Sequence, residues 1–87
     1  MKNKGECIMN KEGFIRAVED IRNNKQDLCV AVTIPGQKDV EYIINKNKSI
    51  KNKLEYYKNT YNDKLEHCMN DRIKIVRVFG VDFYDGE

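Results

Sequence analysis

The stretch LCVAVTIPGQKDVEYIIN, Leu28 to Asn45, decides the fold. Leu28, Val30, Val32 and Ile34 alternate with Cys29, Ala31 and Thr33, the two-residue period of a half-buried strand. Ile34-Pro35-Gly36-Gln37 then fits a type II turn, because proline fixes φ at the second position and glycine accepts a positive φ at the third. Asp39 to Asn45 returns as a second strand with Val40, Tyr42 and Ile44 on one face, which predicts a hairpin.

Working outward, Asn10 is a candidate N-cap for a helix whose apolar stripe is Phe14, Ile15, Val18 and Ile21, ending near Asn23 and Asn24. Gly13 lowers helical propensity in its first turn. On the other side, Ser49 is a candidate cap for a second helix with the stripe Ile50, Leu54, Tyr57 and Tyr61. Leu65, Cys68 and Met69 either continue that helix or form a short turn. Ile73 to Phe83 is the strongest strand pattern: Ile73, Ile75, Arg77 and Phe79 alternate with Lys74, Val76 and Val78, and Gly80 is a possible bulge.

The order helix, strand, strand, helix, strand predicts an α+β fold, a small two-layer domain with a three-stranded, mainly antiparallel sheet. A right-handed crossover through the second helix makes the third strand parallel to the second, so the first strand belongs between them and both helices can pack on one face. The opposite face would then carry Ala31, Thr33, Ile43, Val76 and Val78, too apolar to be left in water. These residues are the expected oligomer interface, covered in a homodimer or by a partner protein. The alternative is a monomer with its helices on opposite faces.

Eighty-seven residues suit one domain and leave no room for a substrate domain beside a scaffold, which argues against a multi-part enzyme. Residues 10–87 are expected to form that domain, and Met1 to Met9, which lacks periodicity, a flexible leader in which Met9 is an alternative start. No run approaches a membrane span and the N-terminus has no signal-peptide core, so a cytoplasmic protein is expected. Cys7, Cys29 and Cys68 are odd in number without a CxxC pair, and His67 is the single histidine, which disfavours a disulfide framework, a metal site or a cofactor.

Charge is distributed unevenly around a formal net of +2. Lys46 to Lys58 carries five lysines against one glutamate, Arg72 to Arg77 adds three cations, and Asp82 to Glu87 adds three acids. Richness in Lys, Asn, Ile and Tyr is also what an AT-rich coding sequence yields, so a solvated charged face explains many of the lysines. Their placement is still unusual, because a helix start favours acids and is penalised by lysine. A bound anion is the natural compensation, held by Lys46, Lys48, Ser49, Lys51 and Lys53 and extended by Arg72 or Arg77. Tyr56 lies off the buried stripe and is the candidate for an exposed stacking contact, whereas Tyr57 and Tyr61 continue the core stripe. Glu66, His67 and Cys68 do not make a nucleophile and base, since adjacent helical residues do not face one another. Cys68 is expected to be a small buried hydrophobe and His67 an exposed side chain. Asp82, Asp85 and Glu87 read as a solvated tail rather than a cation site.

The segments EYIINKNKSIKNKLEYYKNTYNDKL and IKIVRVFGVDF look like small proteins encoded by phages and prophages of AT-rich Gram-positive bacteria. From Asn10 to Phe83 the element order resembles the small type II-A anti-CRISPR proteins, with the strand Glu41-Tyr42-Ile43 entering a short sheet followed by a helical segment. The resemblance rests on element order rather than on a motif. It implies a non-enzymatic inhibitor that binds an immune effector, a protein or ribonucleoprotein, in the bacterial host cell. Known inhibitors of that shape are acidic DNA mimics; the lysines here point instead to contact with a guide RNA. Two alternatives use the same basic residues: an oligomeric sponge that sequesters a phosphorylated nucleotide immune signal, and a small nucleic-acid-binding accessory protein.

Overall fold

The computed structural model describes residues 10–82. The expected leader 1–9 and the tail from Phe83, with Asp85 and Glu87, lie outside the described residues. Two helices, α1 (Lys11–Asn23) and α2 (Ile50–Thr60), cover one face of an antiparallel sheet of four strands, β1 (Asp27–Thr33), β2 (Glu41–Asn45), β3 (Glu66–His67) and β4 (Asn70–Val81), in the order β2-β1-β4-β3. The α+β class and the central place of β1 are as predicted. The fourth strand is the difference: with two residues, β3 is too short to leave an alternation pattern.

Local signals explain most boundaries. Asn10 caps α1, its Oδ1 accepting from the Gly13 N–H at 2.9 Å. The helix ends in a Schellman arrangement: Gln26 N–H donates to the Ile21 carbonyl, Lys25 N–H donates to that of Arg22, and Lys25 has φ 63°. Glycine is the usual residue there because it carries no Cβ to strain the left-handed conformation. Lys25→Gly is therefore expected to raise stability by about 0.5–1 kcal/mol, read as a higher urea midpoint at unchanged slope. An unchanged or lower midpoint would show that the left-handed lysine carries no net cost. The hairpin turn is as predicted, with the Gln37 N–H bonded to the Ile34 carbonyl and Gly36 at φ 86°.

One core joins the layers. Phe14, Val18 and Ile21 of α1 and Ile50, Leu54 and Tyr57 of α2 pack on Leu28, Val30, Val32 and Ile75 of the sheet. Tyr61 and Leu65 close its end. Leu65 belongs to the loop after α2, not to a longer helix, and is held at φ 63° while fully buried. The Asn62 side chain braces that loop by accepting from the N–H groups of Lys64 and Glu66, both at 2.9 Å. Lys11 ties the helices together, its Nζ donating to the Lys58 carbonyl in the last turn of α2 at 2.6 Å.

Burial pushes the phenols of Tyr57 and Tyr61 up, Tyr61 to about 12, with Tyr56 adding to the rise at both. An unfolded tyrosine ionises near 10, so in that interval the folded chain keeps a proton that the unfolded chain has lost. Stability fully present below pH 10 should fall as pH rises toward about 12 and level off beyond it. Urea unfolding followed across this window, in wild type and Tyr61→Phe, checks the sign. An equally steep loss in the variant would remove Tyr61 as the cause.

β4 departs most from its sequence reading. Ala31 pairs with Arg77 but Val32 pairs with Ile75, so Val76 is the extra residue of a bulge. Gly80 is in regular register with Leu28 and is not the bulge. The inserted residue reverses the alternation: Ile73 and Ile75 stay on the helix-covered side, Val78 joins them opposite Val30, and Arg77 and Phe79 turn to the open side. The five residues expected on one open face therefore do not share it: the bulge moves Val78, and the β1–β2 register sets Ile43. Ile43 and Val78 both pair with Val30 and lie on the helix-covered side. Ala31 is fully buried beneath its neighbours, Thr33 is half-buried with its hydroxyl near the Arg72 and Lys74 carbonyls, and Val76 is exposed at the bulge.

Candidate functional site

The lysine-rich start of α2 has an internal answer to its electrostatic problem. A 3-10 turn, Asn47–Ser49, precedes the helix, and Ser49 holds the N-cap position of α2 as predicted but with helical backbone and no side-chain capping bond. The cap comes from another element. Asp27, the first residue of β1 and 96% shielded from solvent, has Oδ1 accepting from the Asn47 N–H at 2.9 Å and Oδ2 3.5 Å from Lys46 Nζ. Its carboxylate thus faces the positive end of the helical run, the place where an external anion was expected. Asn47 completes the junction by donating its amide to the Gln26 and Arg22 carbonyls at 2.8 and 3.2 Å, which pins the end of α1 to the start of α2.

The remaining basic residues fall on two separate surfaces. Lys48, Lys51 and Lys53 are exposed, Ser49 is half-buried, and Lys53 Nζ lies 5.4 Å from the centroid of the exposed Tyr56 ring, all in the helical layer. Arg77 is on the sheet, opposite Ala31. Arg72 lies two residues beyond Lys74, which pairs with Thr33, whereas Asp27 and Lys46 are at the other end of β1, about 20 Å away at the rise of an extended strand. The pocket combining Lys46, Lys48, Ser49 and Lys51 with Arg72 or Arg77 is therefore not assembled within one chain.

What the fold does assemble is an open sheet face, one that no element among the described residues covers. Its floor is Cys29 and Ala31, small and buried, between Tyr42 and Ile44 on β2 and Arg77 and Phe79 on β4. Tyr42 and Phe79 are 52% and 37% exposed, with ring centroids 6.4 Å apart and planes inclined at 67°. The Arg77 guanidinium carbon lies 5.5 Å from the Phe79 centroid. Burial pushes the Cys29 thiol up, partly opposed by Arg77, which makes this cysteine a poor nucleophile. Sequence reading placed Phe79 with the core stripe; the signal it passed over was Arg77, a charge inside a supposedly buried alternation, which marks a change of face.

A shallow polar depression of about 500 Å³ lies at the β3–β4 turn, lined by Asn62, Glu66, His67, Cys68 and Asp71 among others. His67 is half-buried, with Nδ1 accepting from the Met69 N–H at 3.0 Å, and Cys68 is exposed, the reverse of the expected burial of this pair. The two-residue strand causes the reversal: His67 stacks edge-on against Tyr61 at 5.3 Å while Cys68 passes into the turn. Among the described residues no cluster of three His, Cys, Asp or Glu could hold a metal, and no helix is long and apolar enough to cross a membrane. No protein-family model, curated protein or solved structure matches the chain.

Proposed function

We propose that the protein is a non-enzymatic counter-defence protein that inhibits a bacterial immune effector, a ribonucleoprotein, by binding it through the open sheet face. The observation that carries the reading is the sheet face that no described element covers: Tyr42, Ile44 and Phe79 stand exposed around a buried floor, with Arg77 against Phe79. Isolated exposed apolar side chains are ordinary on a protein surface, but a contiguous aromatic patch with an arginine has the composition of a binding centre. The immune target comes from the resemblance to anti-CRISPR proteins. The sponge alternative has less support, because Asp27 occupies the helix start and Arg72 is remote from the lysines.

The test is interference in cells carrying an active type II effector and challenged with a targeted plasmid. Expression of the protein should restore transformation, the purified protein should block cleavage by purified effector without any added nucleotide, and Phe79→Glu should remove both effects. Full interference in the presence of the protein, across effectors from Gram-positive hosts, would sink the reading.

A further inference from the structure

We infer that the open sheet face is a single-stranded nucleic-acid platform, with Tyr42 and Phe79 stacking on bases and Arg77, Lys74 and Arg72 lying along the phosphates. The inference rests on the proposed function only in using the same face, and it names the part of a ribonucleoprotein that the face takes.

Four observations support it. Tyr42 and Phe79 meet edge to face over the buried Cys29 and Ala31 of the central strand, and both rings keep an exposed side on which a flat ligand could stack. Sequence-tolerant stacking on such rings is how sheet surfaces hold unpaired bases. Arg77 already packs against Phe79, so an incoming base would meet a ring and a guanidinium together. Third, cations gather on this side. Lys74 pairs with Thr33 and shares its face with Ala31 and Arg77 across the bulge, and Arg72 stands beside them in the irregular β3–β4 turn, its N–H donating to Asn70 Oδ1 at 3.0 Å. Fourth, among the described residues no acid forms a salt bridge with these three cations. Asp27 is shielded at the far end under Asn47, and Glu66, opposite Lys74, is turned to its own loop, its Oε1 accepting from Asn62 at 3.3 Å. Cations without a described ion pair complement a polyanion.

The lysines of α2 belong to a different surface. Lys51 and Lys53 are in the helical layer, on the other side of the sheet, and the inference gives them no share in base stacking. This distinction makes the proposal specific rather than a general statement about basic proteins.

Fluorescence anisotropy of the full chain with labelled single-stranded RNA and DNA 12-mers, against a duplex of the same sequence, reads the inference directly. Single strands should bind more tightly than the duplex. With three phosphate contacts, affinity should fall roughly 20-fold between 50 and 200 mM salt. Tyr42→Ala and Phe79→Ala should each weaken binding about 5- to 100-fold, as loss of a stacking ring does elsewhere. Arg77→Ala should flatten the salt dependence, while Lys51→Ala with Lys53→Ala should leave stacking affinity within about twofold. Circular dichroism of each variant separates loss of binding from loss of fold. The inference is overturned by no binding at low salt, by preference for the duplex, or by binding that depends on Lys51 and Lys53 rather than on the two rings. A homodimer dissociated by Phe79→Glu, or an RNA-free effector protein cross-linking to Phe79, would also overturn it by giving the face another occupant. Because bare oligonucleotides are used, failure here leaves the effector-inhibition assay to decide the proposed function separately.

Discussion

Replacing Tyr57 with alanine is expected to destabilise the protein by about 3–5 kcal/mol, the cost of removing a large, fully packed aromatic ring. Tyr57 is 4% exposed and stands where four side chains meet: its ring contacts Phe14 at 5.4 Å, Tyr56 at 5.2 Å and Tyr61 at 6.0 Å, and its hydroxyl accepts from Asn45 Nδ2 at 3.2 Å. It therefore joins α1, α2 and the last residue of β2. Tyr57→Phe isolates the polar share. The ring stays, but the buried Asn45 amide loses its partner, which should cost about 1–3 kcal/mol. Adding Asn45→Leu to Tyr57→Phe should recover much of that loss, since the variant has neither a donor nor an acceptor to strand. Urea unfolding of the four proteins measures the coupling. Independent, additive effects of the two changes would mean that the hydrogen bond does not hold β2 to the helical layer.

The residues that carry this junction were partly legible in sequence. Tyr57 and Tyr61 extend the stripe begun by Ile50 and Leu54, and all four are buried. The hairpin was equally legible, because Pro35 and Gly36 mark its turn and Leu28, Val30 and Val32 its covered face. Asn45, by contrast, has no periodic signal: a buried amide is identified by its partner, and that partner is 12 residues away. β4 shows a second limit. Strict alternation from Ile73 assigns Phe79 to the core, and one unpaired residue at Val76 sends it to the opposite side. The candidate site was less legible than the fold for that reason. Sequence reading assigned an exposed apolar face to the sheet, but with Ile43 and Val78 on it, and the bulge exchanges Val78 for Phe79. Joining Arg72 or Arg77 to the lysines of the second helix needs the third strand beside that helix start, whereas a strand about 20 Å long separates Lys46 from Arg72.

The lysine-rich helix start yields the second large effect, centred on a residue that local sequence reading did not connect with it. Asp27→Ala should destabilise the protein by about 2–4 kcal/mol, because it strands the Asn47 N–H and removes the only described acid bonded to the start of a helical run rich in lysine. Asp27→Asn, which keeps an acceptor but no charge, should lose about 1 kcal/mol less than the alanine variant. The pair also tests why lysine is tolerated there. With the carboxylate gone, the exposed N–H groups and Lys46, Lys48 and Lys51 become a vacant anion site, so added phosphate should stabilise Asp27→Ala more than it stabilises the wild type. If both proteins gain equally, the phosphate binds elsewhere and Asp27 is not the anion that this helix start uses. If the alanine variant alone gains, the unusual lysines are explained by an acid that lies 20 residues before Asn47 in the chain and 2.9 Å from its amide nitrogen in space.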